Sequence, residues 1–117
     1  MPYDDNGIFA KIIRKEIPAK IVHETDTVLA FEDINAKAPI HILIVPKVPV
    51  ESVNDLQDDH AQIMGEVLLA ARDIAKQLNI DEKGYRLVIN TNSDAGQEIF
   101  HLHVHLLAGR KMTWPPG

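Results

Sequence analysis

The sequence predicts an α+β fold: a mostly antiparallel five-stranded sheet with one long and one short helix. Three observations point to it. Five short runs of apolar and β-branched residues are separated by turn chemistry. One long segment repeats its apolar residues with helical rather than alternating period. The 117 residues suit a single domain spanning 1–117.

The elements follow in order. From about Asn6 to Lys15, Ile8, Phe9, Ile12 and Ile13 recur at helical spacing. Asp4–Asn6 offer cap candidates, and Lys11, Arg14 and Lys15 sit where the helix dipole favours cations. Pro18 stops this helix. Lys20–Glu24 and Val28–Glu32 read as a hairpin turned by Thr25, Asp26 and Thr27. Asn35–Pro39 is a loop and His41–Val45 a third strand, closed by Pro46. The long helix, Asp58–Leu78, carries Ile63, Val67, Ala71, Ile74 and Leu78 on one stripe, flanked by Met64, Leu68 and Ala75. Arg86–Thr91 is the fourth strand, Asn92–Gly96 a tight loop and Ile99–Leu107 the fifth strand.

Composition narrows the function classes. With no cysteine, disulfides and thiolate metal sites are excluded. Twelve Lys+Arg against seventeen Asp+Glu give a net charge of −5, which argues against a nucleic-acid partner but leaves room for one small phosphate ligand. No apolar stretch reaches membrane-span length, and the Met1-Pro2-Tyr3 start is unlike a signal peptide. The expected location is cytoplasmic, with no membrane partner.

Of six histidines, three stand at 101, 103 and 105. Strand side chains alternate faces, so His101, His103 and His105 are expected on one face at steps of about 6–7 Å. Leu102, Val104 and Leu106 then face the helix. His41, heading another strand, is a candidate fourth member.

Three readings compete. Chance histidines on a wet strand face are disfavoured by the strict alternation. A zinc site could use three imidazoles, with Asp94 or Glu98 orienting the rings. Phosphoryl or nucleotidyl transfer is favoured on chemistry. Neutral imidazole is a competent nucleophile toward phosphorus, and its neighbours can orient it and supply the leaving group's proton.

The residues then identify a family. His101-Leu102-His103-Val104-His105-Leu106-Leu107 resembles the signature of the histidine triad superfamily, in which three histidines alternate with apolar residues. Ile8–Ile13, Glu16–Lys20, Ala30–Ile34, Ala38–His41, Gly84–Asn90, Asp94–Gln97 and Trp114–Gly117 extend the likeness nearly end to end. They resemble its Hint branch, the histidine triad nucleotide-binding proteins.

That resemblance implies hydrolysis of the P–N bond of purine nucleoside 5′-phosphoramidates, such as AMP joined to an amine, with no metal and no other cofactor. It also implies a homodimer whose sheet continues across the two copies. By position, His103 is the expected nucleophile and carrier of the nucleotidyl group. His105 is expected near the leaving group, with His101 and His41 orienting the cluster. Asp33 matches a ribose-binding carboxylate, whose two acceptor oxygens suit a vicinal diol. Ile8, Phe9, Ile17, Phe31 and Ile34 match positions around the base. Asn90, Gly96, Gln97 and Glu98 are expected near ribose or phosphate, and Trp114 near the partner's site.

Two positions depart from animal members: Glu98 replaces serine, and Thr113 stands where histidine is frequent. Glu98 is expected to favour cationic amine leaving groups. The alternative function is a purine nucleotide-binding or scaffold protein with incidental hydrolysis. His23 and His60 match no functional position.

Overall fold

The computed structural model describes residues 3–117; Met1 and Pro2, part of the start read as unlike a signal peptide, lie outside it. Helix α1 spans Ile8–Ile13 and α2 spans Ala61–Gln77. The strands are β1 Ile21–Glu24, β2 Val28–Glu32, β3 Ile40–Pro46, β4 Arg86–Val88 and β5 Val104–Ala108. They form one sheet in the order β1-β2-β3-β5-β4, every neighbour antiparallel.

Both helices end on a left-handed residue. Lys15 (φ 64°) lets the Glu16 N–H reach back to the Lys11 carbonyl, and Asn79 (φ 59°) lets Ile80 do the same to Ala75. Helix α1 is therefore shorter than Asn6–Lys15. Its N-cap is Gly7 without a side-chain cap, and Asp4 instead turns the preceding chain through the Asn6 N–H. The expected start of α2 at Asp58 is a 3-10 turn, Asp58–His60, whose His60 Nδ1 accepts the Gln57 N–H.

The two sheet faces have separate cores. Val28, Ala30, Ile42, Ile44, Val104 and Leu106 pack against Val67, Ala70, Ala71, Ile74 and Ala75 of α2. Leu29, Phe31, Leu43 and Val45 pack against Phe9 and Ile12 of α1. Odd and even positions of β2 and β3 thus serve opposite cores, which is why these strands read as continuous apolar runs. A fully buried Ile or Val contributes about 1.5–3 kcal/mol. The α2 stripe is narrower than expected. Alanines fill its centre, while Leu68 (52% exposed) faces outward and Leu78 (37%) lies past the last turn.

Strands β4 and β5 are shorter than Arg86–Thr91 and Ile99–Leu107. Ahead of Val104 the chain takes other partners: the Leu102 N–H donates to the Val50 carbonyl. Residues 89–91 therefore have no ladder to join, and pairing stops at Val88↔His105. No helix among the described residues is long and apolar enough to cross a membrane.

Candidate active site

A cavity of about 510 Å³ opens on the α1 face of the sheet. His41, His103 and His105 reach it because odd positions of β3 and the 103–105 segment face this side. Register sets the contact: His105 pairs with Leu43 and His41 with Leu107, making the two histidines diagonal neighbours. His41 Nε2 lies 2.9 Å from His105 Nδ1, and the His103 and His105 rings are 4.9 Å apart at their centroids.

The backbone fixes which nitrogens carry protons. His103 Nδ1 lies 2.8 Å from the His101 carbonyl, an acceptor only, so the proton is on Nδ1 and Nε2 keeps its lone pair. The Lys37 N–H donates to His41 Nδ1 at 3.0 Å, which places the His41 proton on Nε2. Nε2–H then donates to His105 Nδ1, leaving the His105 proton on Nε2. The cavity therefore holds one imidazole with a free lone pair beside one presenting an N–H.

Asp33 does two things. Its Oδ1 accepts the Asn35 N–H at 2.8 Å and turns the chain after β2. Its Oδ2 sits 3.5 Å from His41 Nε2. Ile8, Phe9, Ile17, Phe31 and Ile34 supply apolar lining to the cavity, which Asn90, Gly96 and Glu98 also line. Ile34 is 92% exposed at the rim, available to cover a flat ligand. Gly96 (φ 82°) closes the 93–95 turn in a conformation that disfavours any side chain.

Two expectations are corrected. His101 does not line the cavity: its segment is irregular, and its ring is buried with Nε2 2.7 Å from the Pro46 carbonyl. The three imidazoles therefore form no open row. The Gln97 side chain is not a phosphate donor. Its NH₂ donates to the Glu51 and Ile99 carbonyls, its Oε1 accepts the Asn92 N–H, and its own backbone N–H donates to Asn92. Gln97 instead braces the loop that presents Gly96 and Glu98. Trp114, expected at a partner's site, stands away from this chain's own cavity, 80% exposed, with the Arg86 guanidinium 5.9 Å from its ring.

The zinc reading also meets a different geometry. Asp33, His41 and His105, rather than the three strand histidines, bring ligand-type atoms within 4.8 Å of one another. A metal on His41 Nε2 needs the proton on Nδ1, facing an acceptor. Here a backbone N–H faces Nδ1, the opposite polarity. These residues do not fit a resident metal.

Burial lowers the pKa of His41, His101, His103 and His105, with neighbouring positive charge adding to the effect. His105 falls to about 4, from burial first and then from His103 and His41. All four are neutral at pH 7. Unfolded histidine titrates near 6.5, so below that pH the unfolded chain binds more protons than the native one. Stability present above pH 6.5 is therefore lost as pH falls toward 4. An NMR titration is expected to find all four midpoints below 6.5, with His105 lowest, and thermal melts should drop across the same window. A midpoint above 6.5 at His103 or His105 would contradict this electrostatic picture.

Sequence reasoning missed the Lys37 main-chain donor and the cavity residues Ile12, Leu43 and Ile99. Ile12 and Leu43 could have been found from the periodicity of α1 and β3, whereas Ile99 lies in the irregular segment ahead of β5. The Lys37 contact depends on loop geometry that carries no local signal.

Comparison with known proteins matches this fold. The HIT domain model matches residues 14–112. The chain is 50% identical over 108 residues to the purine nucleoside phosphoramidase of Escherichia coli K12, covering 92% of this chain and 91% of that protein. It is 49% identical over 113 residues to an uncharacterized HIT-like protein of Synechococcus elongatus, covering 97% and 98%. A HIT family hydrolase from Legionella pneumophila superposes with a TM-score of 0.94 at 48% identity, covering 96% of this chain and all of that one. A histidine triad protein from Clostridium difficile gives 0.90 at 44%, with 97% of each covered. A paired-histidine cavity on one face of a β1-β2-β3-β5-β4 sheet, in a chain this similar to those hydrolases, belongs to an enzyme of the HIT domain family.

Proposed function

We propose that the protein is a purine nucleoside phosphoramidase, hydrolysing AMP–amine substrates through a nucleotidyl-histidine intermediate. The observation that carries this reading is the His103 tautomer. A backbone carbonyl holds the proton on Nδ1, leaving Nε2 in the cavity as a nucleophile that needs no base.

His103 Nε2 attacks phosphorus, the P–N bond breaks, and the amine departs with a proton from His105 Nε2. The negative charge of a bound phosphoryl group opposes the effect of burial on His105 and favours its protonated form in the complex. Water then attacks phosphorus and gives its proton to His105 Nε2 as the N–P bond to His103 breaks, releasing AMP and restoring both imidazoles. Asp33 accepts from the ribose hydroxyls, and the Phe9, Phe31 and Ile34 wall receives the purine. His41 sets the His105 ring and its tautomer, and His101 acts through its carbonyl rather than its ring.

Glu98 on the cavity wall brings negative charge near the departing amine and favours cationic leaving groups. A homodimer is the assembly this reading carries. β4 is a free sheet edge, and Leu87, Ile89 and Phe100 near it are each more than a third exposed. Trp114 on the adjoining tail then reaches the second copy.

The test is steady-state hydrolysis of AMP joined to a cationic or a neutral amine, with and without chelator, by wild type and Glu98→Ser. Turnover unaffected by chelator is expected, with a preference for the cationic amine that shrinks in Glu98→Ser. Measurable AMP binding without turnover would favour the nucleotide-binding alternative, and loss on chelation would restore a metal. An unchanged ratio of specificity constants removes the Glu98 assignment. Light scattering giving 13.1 kDa rather than twice that mass removes the dimer.

A further inference from the structure

The chemistry above leaves the phenol of Tyr3 without a task. Tyr3 precedes α1, and its hydroxyl lies 2.5 Å from His101 Nδ1, with the two rings edge to face at 5.5 Å between centroids. The Pro46 carbonyl fixes the His101 proton on Nε2, so Nδ1 is a lone pair and the phenol is the donor. The His101 ring is thus held at both nitrogens. The same residue's carbonyl accepts the Nδ1–H of His103.

We propose that Tyr3 is a positioning residue: by locking the His101 ring it holds the His101 carbonyl where it fixes the His103 tautomer and aims its Nε2 at phosphorus. This rests on the phosphoramidase reading for its kinetic consequence only. Phe9 strengthens the coupling, since its ring packs edge to face against both imidazoles, 6.4 Å from His101 and 5.1 Å from His103. A phenylalanine at position 3 fills the same space yet leaves His101 Nδ1 buried without a donor. The His101 ring then turns to find one, and its backbone turns with it.

The experiment compares wild type with Tyr3→Phe by long-range proton–nitrogen NMR of the imidazoles, AMP affinity, kcat and KM. Tyr3→Phe is expected to keep the fold by circular dichroism and the AMP affinity within about twofold. Its kcat falls about tenfold, the scale of one hydrogen bond. His103 changes from a pure Nδ1–H tautomer to a mixture. An unchanged His103 tautomer overturns the proposal whether or not kcat falls, because the effect then does not pass through His101. Wild type without turnover would instead defeat the phosphoramidase reading, and the tautomer comparison would still decide the role of Tyr3.

Discussion

His103→Ala is expected to lower kcat for an AMP–amine phosphoramidate by at least about a thousandfold while AMP still binds. The size follows from the lack of a substitute. The chain has no cysteine, and Ser52 is buried with its hydroxyl on Asp55. His105 cannot take over, because its Nδ1 faces His41 and its Nε2 carries the proton. Binding survives because the apolar wall of Phe9, Phe31 and Ile34 and the Asp33 carboxylate do not depend on the missing ring. Single-turnover mass spectrometry adds a positive sign: wild type gains the mass of a nucleotidyl group on a peptide containing His103, and the variant does not. Activity within tenfold of wild type would move the nucleophile to another residue and end the covalent mechanism drawn here.

How much of this could be read in the sequence varied with the range of the interaction. Period 3.6 marks Ile63, Val67, Ala71 and Ile74 as the buried stripe of α2, and period 2 puts His103 and His105 on the face opposite Val104 and Leu106. Those rules act locally, and they held where a ladder or helix enforced them. They did not foresee His101, where the chain leaves the sheet and the ring, though still against Phe9, is buried on the Pro46 carbonyl instead of open to the cavity.

Partners distant in sequence were beyond local pattern. Tyr3 reaches His101 across 98 residues, and Gln97 reaches the Glu51 carbonyl across 46. Likeness to a family placed Gln97 near phosphate, but the side chain's hydrogen bonds go to main chain, so proximity in a motif did not predict its partner. The continuous apolar run of β3 did carry a usable signal. Burial on both faces implies a second covering element, and α1 supplies it.

The strand ends that hold His41 in place make Gly109→Ala the most damaging small change outside the cavity. Gly109 follows β5 with φ 94°, and a Cβ there would stand 2.7 Å from the Pro39 Cβ and 3.2 Å from its Cγ. Neither side can yield easily. Pro39 is a rigid ring, and Ile40 beside it is paired with Ala108 in the β3–β5 ladder. Positive φ and overpacking together are expected to cost about 2–4 kcal/mol, lowering Tm by about 10 °C. The damage also reaches the site. Lys37, whose N–H sets the His41 tautomer, lies two residues before Pro39, and His41 lies two residues after it. The Lys37 carbonyl is in turn tied to Arg110 next to Gly109, at 3.1 Å. Moving Pro39 therefore shifts His41 against His105, and kcat should fall even well below the new Tm. Thermal melts and kcat at low temperature separate the two effects. A variant that melts within about 2 °C of wild type would show that the Pro39–Gly109 contact does not fix this corner, and that Lys37 and His41 are held by the ladder alone.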